Sequence, residues 1–372
     1  MPAPILQKQV HIGIDASIWS PEPRGHSLYA MSLCRELIPL LPMARFTAYS
    51  QSPSGFGDFS GNCREITGHA AWLPPVLWSK LVLGRLCKRD KIDVFWSPYS
   101  FLPPLERKVR SLLTIYDFTS KVSPSSFTPM HRLAHRLFAF GDARRADSIL
   151  TISQATRQQI RVRFGRDALV IPPAVDSIFS VQSATRISEV LTEHQIEKPY
   201  LLNVAAWEPR KNVAGLVRAF LSLKREGKLP EHTLVLAGKP GRASAEVSRL
   251  LQSAGKNVKA LGYVEREALP SLFSGADAFV FPSLYEGFGM PVAEALACGT
   301  RVVTTDSPEL REAGGEQCIF IEPTQEGIRH GIEVACSMNT APGIPLPRST
   351  WSDTAAILAE EIHRLLGVTL PS

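Results

Sequence analysis

Ala278-Phe279-Val280-Phe281-Pro282-Ser283-Leu284-Tyr285-Glu286-Gly287-Phe288-Gly289-Met290-Pro291-Val292-Ala293-Glu294-Ala295-Leu296-Ala297-Cys298-Gly299 reads as a buried strand, a glycine-bearing turn and a helix. Ala278 to Pro282 is an unbroken apolar run. Val292 to Cys298 has helical character, with Pro291 suited to a first helical position and Gly299 just past the end. The first N–H groups of such a helix lack intrahelical acceptors and attract anions. Glu286 in the loop and Glu294 in the helix flank that end, and carboxylates accept hydrogen bonds from hydroxyls. The pattern suits a ligand that is both phosphorylated and rich in hydroxyls, such as a sugar nucleotide. A lone Glu pair reads more simply as a turn cap and a solvated helix residue. Gly287 and Gly289, either side of Phe288, shift that balance because backbone without side chains can approach a ligand closely.

The same strand–loop–helix unit recurs along the chain. Tyr200–Ala205 reads as a strand, Trp207-Glu208-Pro209-Arg210-Lys211-Asn212 as its loop, and Val213–Lys224 as a helix that Asn212 can cap. Arg210 and Lys211 thus stand beside a second phosphate-friendly helix start. Strands follow at Thr233–Ala237, Val258–Val264, Arg301–Thr304 and Cys318–Ile321. In the first half, Val10–Asp15 leads through a loop with Arg24, Gly25 and His26 into a helix. Further strands are expected at Arg45–Ser50, Ile92–Trp96, Arg110–Tyr116, Ala146–Ser153 and Ala168–Ile171. No G-x-G-x-x-G is present, which argues against a dinucleotide dehydrogenase. The βα order predicts an α/β chain with two Rossmann-like parallel sheets whose ligands bind beyond the strand carboxyl ends. The expected domains are 1–178, a linker with one short helix at 179–198, a second domain at 199–350, and a final helix in 351–372 capped by Ser352.

Length and composition fit an ordinary globular chain of two or three domains. The 372 residues are 44% hydrophobic and 20% charged, ordinary globular values, so disorder is not expected. Residues 1–180 hold 22 Lys+Arg against 13 Asp+Glu, a balance of +9, while the remainder holds 19 against 22, or −3. The basic half is the one suited to an anionic partner. Trp72–Lys91 combines tryptophans, aliphatic bulk and five basic residues; it reads either as a crossover helix covering the sheet or as an interfacial amphipathic helix. There is no run of 18 apolar residues, and Met1–Lys8 lacks a leader's pattern, so a cytoplasmic protein, peripheral on the inner membrane face, is expected. Six scattered cysteines without C-x-x-C read as reduced, packed thiols, and no metal site is expected.

Glu286-Gly-Phe-Gly-Met-Pro-Val-Ala-Glu294, with Ala295-Leu-Ala-Cys-Gly299 after it, resembles the paired-glutamate motif of retaining glycosyltransferases of the GT-B fold, in the large family 4 group. Glu208-Pro-Arg210-Lys211-Asn212 resembles the same family. The resemblance implies GT-B architecture: two Rossmann-like domains facing a central cleft, with the C-terminal helix packing back on the first. It implies that Lys211 contacts the donor diphosphate, with Arg210 helping, that Glu286 lies by the donor sugar, and that Glu294 binds ribose hydroxyls. Phe288, Gly289 and Met290 would hold the donor through their N–H groups, Gly262-Tyr263-Val264 would lie beside the nucleobase, and Gly25 would approach the donor phosphates. The chain departs from the family at Tyr116, where His-Asp is common. That leaves Asp117 as the polar residue there, since a phenol cannot act as an imidazole near neutral pH.

The activity expected is retaining, metal-independent transfer of mannose, or of a 6-deoxyhexose such as rhamnose, from a nucleotide diphosphate sugar. The acceptor expected is a lipid-linked glycan in bacterial surface polysaccharide assembly, with neither a cofactor nor a nucleic-acid partner. Whether Glu286 is nucleophile or orienting group stays open. Two rivals remain: a sugar-nucleotide epimerase on the same architecture, and a non-catalytic nucleotide-sugar-binding scaffold.

Overall fold

The structure is a computed structural model describing residues 9–21, 23, 25–54, 62–122, 129–338 and 349–367. Met1–Lys8, Arg24 and most of the Pro-rich stretch at 340–350 lie outside the described residues. The chain divides into two compact units: residues 1–120, 127–174 and 349–372, and residues 121–126 and 175–348.

The chain opens with β1 (His11–Asp15), α1 (His26–Leu40), β2 (Arg45–Tyr49) and β3 (Cys63–Ile66). It continues through α2 (Pro75–Trp78), a π-helical turn (Ser79–Leu83), α3 (Gly84–Arg89), β4 (Val94–Ser97) and β5 (Arg110–Ile115). Then come α4 (Thr119–Val122), α5 (Pro129–Arg145), β6 (Ser148–Thr151), α6 (Gln154–Phe164) and β7 (Leu169–Val170). These strands form one parallel sheet in the order β3-β2-β1-β4-β5-β6-β7. The inner strands are wholly buried, as a sheet covered on both faces requires. The strand β3 has no counterpart in the sequence reading, because Cys-Arg-Glu-Ile at a sheet edge carries no apolar run. Ser153 caps α6 through the Thr156 N–H, and Gly165 closes it at φ 64°.

Trp72–Lys91 is a broken crossover rather than one straight helix. Trp78, Leu83, Leu86 and Cys87 lie in the core with Phe95 and Leu113. Gly84 presses so closely on Pro104 that a Cβ has no room there. Lys80 is drawn inward to an ion pair with Asp142 at 2.5 Å. Among the described residues no helix is long and apolar enough to cross a membrane.

The second unit holds α7 (Ala184–Glu193), β8 (Tyr200–Val204), α8 (Val213–Arg225), β9 (Thr233–Ala237), α9 (Ser244–Ala254) and β10 (Val258–Gly262). It continues with α10 (Leu269–Gly275), β11 (Ala278–Phe281), α11 (Met290–Ala297), β12 (Val302–Thr305), α12 (Pro308–Gly314), β13 (Cys318–Ile321) and α13 (Gln325–Ser337). Its parallel sheet runs β10-β9-β8-β11-β12-β13. The order reverses between β8 and β11, which makes that pair the topological switch point where doubly wound sheets bind ligands. The segment before β8 packs on this unit: Gln182 N–H donates to Ser274, and Ile187 and Leu191 lie against Gly275.

The last helix, α14 (Trp351–Leu365), belongs to the first unit. Trp351 meets Tyr29 of α1 edge-on at 5.8 Å, and Thr354 donates to the Pro172 carbonyl. Its cap is Thr350 in a capping box with Asp353, and not Ser352. The helix starts one residue before Ser352, so Thr350 is the residue whose hydroxyl reaches the N3 amide.

Candidate active site

In the second unit, the loops after β8 and β11 are tied together. Leu284 N–H donates to the Arg210 carbonyl at 2.7 Å. Pro209–Lys211 forms one 3-10 turn, and Asn212 follows in the left-handed region at φ 52°. Asn212 does not cap α8 with its side chain; its Nδ2 donates to the Pro323 carbonyl instead. The left-handed backbone turns the amide away from the helix start and ties the loop to the segment after β13.

This cross-tie brings Glu286, Lys211 and Arg210 together. Lys211 Nζ donates to Glu286 Oε1 at 2.5 Å, Arg210 Nη1 to Oε2 at 3.2 Å, and Ser283 Oγ to Oε1 at 2.6 Å. Glu286 is 7% exposed, so it is neither a solvated residue nor a simple turn cap. Burial pushes its carboxyl up, but the Lys211 and Arg210 charges outweigh it and hold Glu286 below its ordinary value. The cluster therefore stays ionised, with two cations around one anion, and its surplus charge is positive. Lys211 Nζ also lies 4.8 Å from the Phe281 ring centroid, so the strand end helps to position it.

Gly289 introduces α11 at φ 108°, and a Cβ there would stand 2.6 Å from Leu310 Cδ2. Among the described residues, the N–H groups of Phe288, Gly289 and Met290 donate to no backbone carbonyl, and Pro291 has no N–H. The helix start thus carries N–H groups without backbone acceptors, two to four residues after Glu286 in the chain. Glu294 is buried four residues further on, at 9% exposure. Burial pushes its carboxyl up to about 7, the Arg266 charge pulls against that, and Asp176 adds to it. Arg266 itself is held by Asp176 at 3.4 Å and by the Phe179 ring at 5.2 Å. Gly262 ends β10 at φ 70°, and its carbonyl accepts from Gly238 N–H at 2.6 Å. Tyr263 is 40% exposed, with Lys239 Nζ 4.6 Å from its ring, while Val264 is buried.

In the first unit, Gly25 precedes α1 at φ 51° with open space where a Cβ would go. Tyr116 is buried, and the exposed His26 ring stacks on it at 3.9 Å and 8°. Burial pushes the Tyr116 phenol up, so it is no acid or base near neutrality. Asp117 is half-buried and accepts from Thr119 N–H at 2.8 Å, capping the turn into α4.

Three participants were not visible in sequence: Ser283, whose hydroxyl seats Glu286; the Asp176–Arg266 pair near Glu294; and His26 over Tyr116. Only Ser283, three residues before Glu286, had a local signal.

Residues 189–337 match the model of the glycosyl transferases group 1, and residues 23–178 match glycosyltransferase family 4. The chain is 30% identical to O-antigen chain mannosyltransferase B of Escherichia coli over 63% of each chain. It is also 30% identical to the serotype-specific mannosyltransferase WbdA of Escherichia coli, over 60% of this chain and 29% of that protein. The match thus spans under two thirds of the length of these relatives. The fold is similar to Anabaena Alr3699/HepE, solved in complex with UDP and glucose, with a TM-score of 0.70 and 18% identity. That likeness covers 97% of this chain and all of the other.

Proposed function

This chain belongs to the GT-B glycosyltransferases of the family 4 group, and from that premise we propose that it is a retaining, metal-independent mannosyltransferase. It takes a mannosyl group from GDP-mannose to a glycan hydroxyl in bacterial O-antigen or related surface polysaccharide assembly. The acceptor is lipid-linked, presented at the inner membrane face. The observation that carries this reading is the Lys211–Glu286–Arg210 cluster at the β8/β11 switch point, with the donor cradle of α11 following it. Mannose as the sugar rests on the mannosyltransferase relatives.

In this mechanism the acceptor hydroxyl oxygen bonds to the anomeric carbon as the bond from that carbon to the diphosphate oxygen breaks. The proton passes to the departing diphosphate on the same face, which retains configuration. Lys211, Arg210 and the open N–H groups of Phe288, Gly289 and Met290 stabilise the charge growing on the diphosphate, work that a divalent cation does elsewhere. Both Glu286 oxygens already accept from Lys211, Arg210 and Ser283. That supports Glu286 as the group that orients the cations and faces the sugar rather than one that attacks it. Glu294 accepts from ribose hydroxyls, and Tyr263 lies by the base.

A second reading, a 6-deoxyhexose donor such as dTDP-rhamnose, is favoured by the Tyr116 phenol. It is buried, and among the described residues its one hydrogen bond is to the His26 carbonyl at 3.4 Å. A donor panel decides both. GDP-mannose, dTDP-rhamnose, UDP-glucose and UDP-N-acetylglucosamine are each incubated with and without membrane lipid extract, and nucleotide release is followed. GDP release that needs the extract and is lost in Glu286→Ala is expected. Preference for dTDP-rhamnose replaces the donor. Sugar conversion without acceptor indicates an epimerase, and binding without any turnover indicates a scaffold.

A further inference from the structure

We propose that Glu265, together with Lys239 on the same tyrosine ring, selects guanine as the base of the donor nucleotide. Tyr263 directly follows β10 and is 40% exposed, which leaves its ring accessible. Its hydroxyl donates to Glu265 Oε2 at 3.2 Å, and Lys239 Nζ stands 4.6 Å from the ring centroid. One accessible ring thus carries a carboxylate at its hydroxyl and a cation over its face. Glu265 and Lys239 are both exposed. Among the described residues Glu265 is in no ion pair, and its neighbour Arg266 turns to Asp176 at 3.4 Å. The carboxylate therefore keeps acceptor capacity to spare. The loop also lies at the right point along the site. Arg266 is close enough for its charge to act on Glu294, and Glu294 sits on α11, the helix that follows the Lys211–Glu286 cluster. Diphosphate, ribose and base succeed one another in a nucleotide, as the cations, Glu294 and the Tyr263 loop do in this unit.

Edge chemistry selects the base. Guanine presents the O6 acceptor beside two adjacent donors, N1–H and the 2-amino group. An ionised carboxylate accepts from both donors at once, and an ammonium donates to O6. Uracil and thymine present one N–H between two carbonyls, so the second carboxylate oxygen would face an acceptor. Adenine and cytosine place an acceptor nitrogen beside their amine, with the same result. A cation and an unneutralised carboxylate together are complementary to guanine alone among these bases, and they reject the others by leaving a charge unpaired. The pair therefore favours GDP-mannose over the thymidine donor of the second reading.

The inference rests on the reading of this site as a nucleotide-sugar site and deepens it. It is tested with full-length protein by calorimetric titration of GDP, of inosine diphosphate, which lacks only the 2-amino group, and of UDP. Wild type should bind GDP about tenfold tighter than inosine diphosphate, the size of one hydrogen bond to a charged group. Glu265→Gln replaces two acceptors by one acceptor and one donor. It should weaken GDP about tenfold and erase the preference over inosine diphosphate. UDP affinity should hold or rise in that variant, because the amide matches uracil's N–H and carbonyl. Lys239→Met should weaken GDP and inosine diphosphate alike, since both carry O6. A glutamate that only shaped the loop would cost all three nucleotides equally in Glu265→Gln, and that result would overturn the inference. So would a wild type that binds GDP and inosine diphosphate equally, which leaves the GDP-mannose reading standing. Release of UDP or dTDP alone in the donor panel would remove that reading itself. Discrimination by Glu265 with no turnover of any donor would leave the base assignment standing and remove the transferase.

Discussion

A carboxylate that is 7% exposed costs stability unless it is paired and hydrogen-bonded, and Glu286 has three donors. Removing it leaves Lys211 and Arg210 close together with no anion between them. Lys211→Ala should lower nucleotide release by about 10²–10³-fold while donor binding persists, the size expected for one charge-stabilising group. Single-turnover release against titrated affinity separates the two; equal losses in both would count against the role. Glu294 is different, because its carboxyl is raised from 4.5 to about 7. Between those values the folded protein keeps a proton that the unfolded chain releases, so this group makes stability fall as pH rises through the window. Ribose hydroxyls donate best to the ionised form, so donor affinity should rise as pH climbs through about 7. Calorimetric titration of GDP should show that rise in wild type and a shallower one in Glu294→Gln. At alkaline pH Glu294→Gln should also be more stable to unfolding than wild type, by about 3 kcal/mol at most. An identical pH profile in the two proteins would sink the assignment. The motif made Glu286, Glu294 and Lys211 legible in the sequence. It said nothing of Arg266 and Asp176, whose pairing across 90 positions no local pattern announces.

At the scale of elements, the site depends on two turns that only unusual backbone can make. Gly289 opens α11 at φ 108° with Leu310 behind it. Gly289→Ala adds both left-handed strain and a clash with that leucine, and should destabilise the protein by about 1–3 kcal/mol. The same substitution moves the open N–H groups, so GDP affinity should fall with it. Thermal melts with and without GDP read both effects, and a Gly289→Ala protein with unchanged melting and affinity would refute them. Gly238 is equally constrained, since a Cβ there would run into the Ala205 carbonyl at the end of β8. Strands and helices of this kind were legible because burial on both faces forces continuous apolar runs, as in Ala278–Phe281. The Asn212 and Ser352 caps were misplaced for a physical reason. A polar residue near a helix start is a candidate cap, but the backbone angle and the exact first turn choose among neighbours.

For the whole molecule, each unit has its own sheet, and the loops after β8 and β11 and the start of α11 lie in the second. Bound GDP should therefore slow amide exchange at residues 207–213 and 283–294, with α5 unaffected. Hydrogen exchange followed by mass spectrometry checks this, and protection of α5 in place of those loops would overturn the assignment. Unaided, the sequence determined the α/β class, the two parallel sheets, the glycine turns and the residue types of the site. Those features are set by neighbours in the chain: apolar runs, turn residues and helix starts. Only the tertiary structure decided which of these residues meet. Lys211 and Glu286 are 75 residues apart and touch because β8 and β11 lie side by side at the sheet's switch point. Only the fold, likewise, turned Trp78 and Lys80 inward. Amphipathic pattern shows that a helix has two faces, and packing chooses which one the protein covers.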